Sequence, residues 1–139
     1  MRYVLILLAT LGIVVSALAL REHYRTEGDA PCSINERWDC GIVNKSPYAM
    51  LGPVPVAALG IVGYLLMAAL AWKRFYRPLL ALSLMALAFS LYLAHIESSI
   101  LGVWCIYCVI SLADISLMTL TALIATLSPS RQREIKKAA

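Results

Sequence analysis

Four apolar runs decide what this chain can become. Residues 3–20, 54–72, 78–96 and 103–127 each approach or exceed the roughly 20 residues a helix needs to cross a bilayer. In lipid a segment must satisfy its own backbone polar groups, so such runs are read as helices. Charged residues make up 14% of the chain and hydrophobic ones 61%, against about 25% charged in soluble domains. The expectation is an all-α membrane protein: one domain over residues 1–139, built as a four-transmembrane-helix bundle. The connection at 21–53 is too long for a plain turn and is read as an outer loop.

The first run is checked against a cleavable leader. Only Arg2 precedes it, and its apolar stretch exceeds the roughly 7–15 residues of a signal core. Ala17-Leu18-Ala19 resembles a small-residue cleavage site, which keeps the leader as the alternative. A retained helix is the better reading.

Orientation follows the basic residues near the span ends. With the N-terminus inside, the inner segments hold Arg2, Lys73, Arg74, Arg77, Arg131, Arg133, Lys136 and Lys137, eight of the twelve Lys and Arg. The outer loop holds Arg21, Arg25, Arg37 and Lys45 against five acids: Glu22, Glu27, Asp29, Glu36 and Asp39. The net charge of +4 is thus a topology signal, and no nucleic-acid partner is expected. Both termini are expected in the cytoplasm. All four cysteines then share the outer, oxidising side, where disulfides persist.

Cys105-Ile106-Tyr107-Cys108 opens the fourth run. Cysteines three apart at a helix start are neighbours on one face, within bridging reach. The free N–H groups and positive dipole end of the helix favour a thiolate there. Cys32 and Cys40 lie in the outer loop, eight positions apart. They read either as a structural staple or as an exposed pair that a partner protein reaches. Four thiolates also recommend a metal, but the oxidising side and the Cys32–Cys40 spacing argue against one, and none is expected.

Other residues carry weaker signals. Ser46 followed by Pro47 is a helix opening, a cap and then proline in the first turn, with Gly52 and Pro53 as the stop. That short segment, with Tyr48, is expected to lie at the membrane surface as an interfacial helix. Gly60 and Gly63 are read as packing residues of the second span. His95 near the outer end of the third span and Asp114 within the fourth are candidates for a proton relay. A histidine at that boundary also simply meets water, and Asp114 has structural hydrogen bonding to Tyr64, Tyr92 or a serine as its alternative.

Two dithiol pairs, one in a loop and one at a membrane helix, match a thiol–disulfide relay. Its acceptor must be a lipid-soluble two-electron oxidant, and a quinone is the obvious class. No dinucleotide fingerprint and no haem-attachment motif occurs, since Val109 follows Cys108.

Cys32-x7-Cys40, Ser46, Pro47-Tyr48-Ala49, Gly52-Pro53-Val54-Pro55 and the late Cys105-Ile106-Tyr107-Cys108 resemble the vitamin K epoxide reductase family over nearly the whole chain. The resemblance implies four core helices around a quinone of the ubiquinone, menaquinone or vitamin K type. It implies that Cys32 exchanges with a thioredoxin-like extracytoplasmic partner. Cys40 would pass electrons through a transient disulfide to Cys105, and Cys108 would face the quinone. Ser46 matches a serine implicated near the loop. The vertebrate epoxide-reducing members carry a tyrosine one turn after the CxxC, where Leu112 stands here, and an asparagine in the second span, where residues 54–72 contain none. Many bacterial members continue into a fused thioredoxin-like domain; a stand-alone form with a separate partner is expected here.

The expected function is a membrane thiol–disulfide oxidoreductase that supports disulfide formation in a prokaryotic inner membrane. Quinone or vitamin K epoxide reduction for its own sake is the rival enzyme. A tetraspan scaffold with structural disulfides is the rival outside catalysis.

Overall fold

A computed structural model describes residues 2–24, 36–128, 133, 136 and 137. Cys32 and most of the charged first half of the outer loop fall outside the described residues. The element order is α1 (Arg2–Tyr24), α2 (Cys40–Lys45), a 3-10 turn (Pro47–Ala49), β1 (Met50–Leu51), β2 (Val54–Pro55), α3 (Val56–Trp72), α4 (Tyr76–Ile96), a π turn (Glu97–Leu101) and α5 (Ile106–Leu127).

Helix α1 packs on α3 and α5, and α4 closes the ring against α5 and α3. The core is aliphatic and small: Leu5, Ala9, Met67, Ala71, Leu79, Ile115, Met118, Ala122 and Ala125, with Tyr64 and Tyr76. Large apolar side chains lie on the outside instead, among them Leu7, Leu66, Met85, Leu91 and Leu120. Glu22, Glu97 and Asp114 are buried. That is the distribution of a bundle surrounded by lipid, whose polar groups turn inward.

Among the described residues, three helices are long and apolar enough to cross a membrane: Arg2–Tyr24, Tyr76–Leu101 and Ile106–Leu127. The run read as 54–72 gives a shorter helix of 17 residues, because Val54 and Pro55 are spent in a hairpin. At 1.5 Å per residue α3 is about 26 Å long, a little under the hydrocarbon thickness.

The short interfacial helix expected after Ser46 is only the 3-10 turn Pro47–Ala49. Ser46 does not cap it with its side chain; the hydroxyl donates backwards to the Val43 carbonyl at 2.8 Å. The chain then folds into a two-residue hairpin, Met50 opposite Pro55 and Leu51 opposite Val54. Gly52 takes φ +65° at its tip, the left-handed region that glycine enters without strain.

One glycine sets an interhelical distance. A Cβ on Gly12 of α1 would lie 2.3–2.5 Å from the ring of Tyr64 on α3, so the two helices meet where the ring lies over bare backbone. Gly60 serves the same end beside Ser16, whose Oγ would be 2.8 Å from an added Cβ. Gly63 does not: its nearest neighbour would be Met67 Cε at 4.0 Å.

Candidate active site: a dithiol at the mouth of a cavity

Cys105 is the N-cap residue of α5, in extended conformation, and its carbonyl accepts the Val109 N–H at 3.0 Å. Cys108 lies one turn in. Both are free thiols, Cys105 buried and Cys108 partly exposed. Gly102, at φ +68°, ends the π turn and returns the chain toward α5.

The segment before Cys40 is laid against the segment before Cys105. Trp38 and Trp104 form a parallel backbone bridge. The Asp39 N–H donates to the Trp104 carbonyl at 3.0 Å, and the Trp104 N–H donates to the Arg37 carbonyl at 2.6 Å. Asp39 also caps α2, its carboxylate accepting the Ile42 N–H at 3.2 Å. Cys40 therefore opens a capped helix two residues past Trp38, and Cys105 caps α5 one residue past Trp104.

The polar atoms around Cys105 come from three elements. Asn44 of α2 donates from Nδ2 to Cys105 Sγ at 3.4 Å. The ring of His23, at the end of α1, donates from Nδ1 to the Asn44 carbonyl. The backbone N–H of Cys105 donates to Glu97 Oε2 at 3.2 Å. The Cys108 thiol lies within hydrogen-bonding reach of both Cys105 and the Glu97 carboxylate. The Cys105 thiol is held below its ordinary pKa, first by the hydrogen bond from the Cys108 thiol and further by Asn44; burial and the Glu97 charge oppose this. Cys105 is thus poised as the thiolate of the pair.

Below the dithiol lies a cavity of about 310 Å³. Apolar and aromatic side chains dominate its wall: Val15, Leu59, Met67, Phe89, Leu93, Tyr107 and Ile115, with the open backbone of Gly60 and Gly63. Its polar groups include Cys108, Glu97, His23, Asn44 and Ser46, with Tyr64, Ser111, Ser16 and Ser90. The Tyr64 hydroxyl lies 3.0 Å from Ser111 Oγ. Such a volume and lining suit a flat apolar molecule oriented by a few polar contacts.

The residues singled out in the sequence fall in different places. Cys105, Cys108, Ser46 and Tyr48 gather here, the last two in the cavity wall. Cys40 starts α2 nearby, and Cys32 lies outside the described residues. Leu112 is half-buried on α5, away from the lining, with its carbonyl accepting from Ser116 Oγ at 2.7 Å. His95 is exposed, Nδ1 3.5 Å from Ser99 Oγ, because Ile96 and Glu97 take the inward face of that turn. Asp114 is 2% exposed, and its two carboxylate oxygens have no hydrogen-bond partner among the described residues. It stands near the Tyr64 hydroxyl, outside the cavity lining.

Sequence reasoning passed over Asn44, Glu97 and His23. Glu97 alone left a signal, an acid at the end of an apolar run. No group of His, Cys, Asp or Glu among the described residues is arranged to hold a metal.

The family model described as the vitamin K epoxide reductase family matches residues 3–126 of the 139. No curated protein matches the chain.

Proposed function

The chain belongs to the vitamin K epoxide reductase family, and from that premise we propose that it carries electrons from a thioredoxin-like protein through its two cysteine pairs to a quinone. Membership makes it an oxidoreductase of the membrane. The observation that carries the finer reading is Cys108 in the wall of an apolar cavity, with Cys105 beside it at the start of α5.

In this reading α1, α3, α4 and α5 all cross the bilayer, with the termini cytoplasmic and the cysteines on the outer face. The Arg2 guanidinium lies 5.2 Å from the Trp72 ring, which brings the start of α1 and the end of α3 to one face of the bundle. A basic residue and a tryptophan together suit the inner headgroup layer.

The partner's dithiol reduces a Cys32–Cys40 disulfide. The Cys40 thiolate then attacks the Cys105 sulfur of a Cys105–Cys108 disulfide, and Cys108 leaves as a thiolate that takes up a proton from water. Cys32 attacks Cys40 in the mixed disulfide, releasing Cys105 and restoring the loop pair. The Cys105/Cys108 dithiol next gives two electrons to the quinone, which becomes hydroquinone as the disulfide re-forms. Asn44 favours release of Cys105 as a thiolate, since its amide donates to that sulfur.

The test is quinone reduction by the purified protein in detergent, with a reduced thioredoxin-like donor. Wild type is expected to turn over and Cys108→Ala to be inactive. Cys32→Ala should fail with the protein donor yet work with a small dithiol. Turnover by Cys108→Ala at the wild-type rate would overturn the reading. A parallel assay with a quinone epoxide separates epoxide reduction from quinone reduction.

A further inference from the structure

Reducing a quinone to hydroquinone needs two protons as well as two electrons, and the electron route above leaves their carrier open. The residue best placed is one the sequence did not single out. Glu97 is 3% exposed, sits in the π turn that ends α4, and shares the cavity wall with Cys108. One carboxylate oxygen accepts the Cys105 backbone N–H, and the carboxylate also meets the Cys108 thiol. Among the described residues no Lys or Arg lines the cavity to neutralise it. A charged carboxylate in such a place is costly unless it has partners or a task.

We propose that Glu97 takes the proton of the Cys108 thiol and passes it to a quinone oxygen in the cavity. The inference rests on the quinone reading of this same site. As the Cys105 and Cys108 sulfurs join, their two electrons reduce the quinone. The Cys108 proton crosses through Glu97 to one oxygen, and water supplies the second oxygen with the proton that Cys105 had already released as a thiolate. Two thiols and one quinone thereby give one disulfide and one hydroquinone. Glu97 ends the cycle as it began, ionised.

Geometry favours Glu97 over the other titratable groups. Cys105, the N-cap of α5, and Cys108 within α5 both meet it. His23 of α1, Tyr48 of the 3-10 turn, Tyr64 of α3 and Tyr107 of α5 share the cavity wall. His23 Nδ1 is engaged with the Asn44 carbonyl, and Tyr64 pairs with Ser111. His95 and Asp114 do not reach the lining.

Glu97→Gln preserves the shape and an acceptor for the Cys105 N–H but carries no proton. Two steps are followed on the whole protein in detergent: reduction of its Cys105–Cys108 disulfide by a reduced donor, and oxidation of the dithiol by a water-soluble quinone. Glu97→Gln is expected to slow the second step by about 10²–10⁴-fold, the usual yield of general acid–base catalysis, with the first step at the wild-type rate. The wild-type quinone step should fall off in acid as Glu97 is protonated and can no longer accept a proton. Protonation of the Cys105 thiolate slows both proteins in acid, and the further fall that Glu97 adds should vanish in Glu97→Gln. Equal loss of both steps would assign Glu97 to positioning the Cys105 backbone and overturn proton transfer, as would an unaffected quinone step. If Glu97→Gln does not fold, Glu97→Asp decides: a slowed quinone step with a displaced acid limb supports the proposal, and an undisplaced limb refutes it. A wild type unable to reduce quinone would instead overturn the function from which the proposal starts.

Discussion

Asn44 Nδ2 donates to Cys105 Sγ at 3.4 Å, joining residues 61 positions apart in the chain. The contact makes the two thiols unequal. Cys105 receives hydrogen bonds from Asn44 and Cys108, whereas Cys108 faces the Glu97 carboxylate and the cavity. One sulfur is prepared as the nucleophile and leaving group of disulfide exchange, the other for the reaction with the acceptor.

Asn44→Ala should therefore weaken exchange. A hydrogen bond to a charged group contributes about 1.5 kcal/mol or more, so exchange near neutral pH should slow roughly tenfold. The sign in pH is fixed. Thiolate rises with pH through the depressed Cys105 value, and removing the donor moves that rise to higher pH. Alkylation of the reduced protein against pH, with labelled Cys105 resolved by peptide mapping, reads it directly.

Gly12→Ala should destabilise the bundle. The new Cβ would occupy the space of the Tyr64 ring, forcing α1 and α3 apart or the ring off its rotamer. Overpacking of this kind costs about 1–3 kcal/mol. A lower Tm in detergent checks it.

Gly63→Leu is the contrasting substitution. Gly63 lines the cavity but has open space where a side chain would grow. The variant should keep its Tm, fill part of the cavity and raise KM for quinone several-fold. Reduction of Cys105–Cys108 by thiols should be unchanged. An unaltered KM would remove the cavity from the acceptor site.

Asp39→Ala should fray α2. The Ile42 N–H loses its acceptor, a change of about 1 kcal/mol at an N-cap. Faster amide hydrogen exchange at Ile42 and Val43 would report it.

The apolar helices were legible because apolar length is a property of single segments. The 103–127 run gives α5 within three residues of its start, and the CxxC falls at the helix start as its spacing requires. What escaped depends on contacts between distant segments. Asn44 is unremarkable in a polar loop; only the folding of α2 against the start of α5 gives it a sulfur to bond. His95 and Glu97 are two positions apart and look alike as candidates, yet helical rotation exposes one and buries the other. The hairpin at Met50–Pro55 was missed because Gly52-Pro53 reads equally as a helix stop and as a turn tip.

The parallel bridge between Trp38 and Trp104 also has a kinetic meaning. A loop cysteine on an untethered segment would meet the helix pair only as often as diffusion allowed. Stitched at Arg37, Asp39 and Trp104, the root of the loop holds its sulfur chemistry at a high local concentration that dilution of the protein cannot change. Exchange between the two pairs becomes a first-order event inside one molecule, and only the docking of the external donor remains second-order.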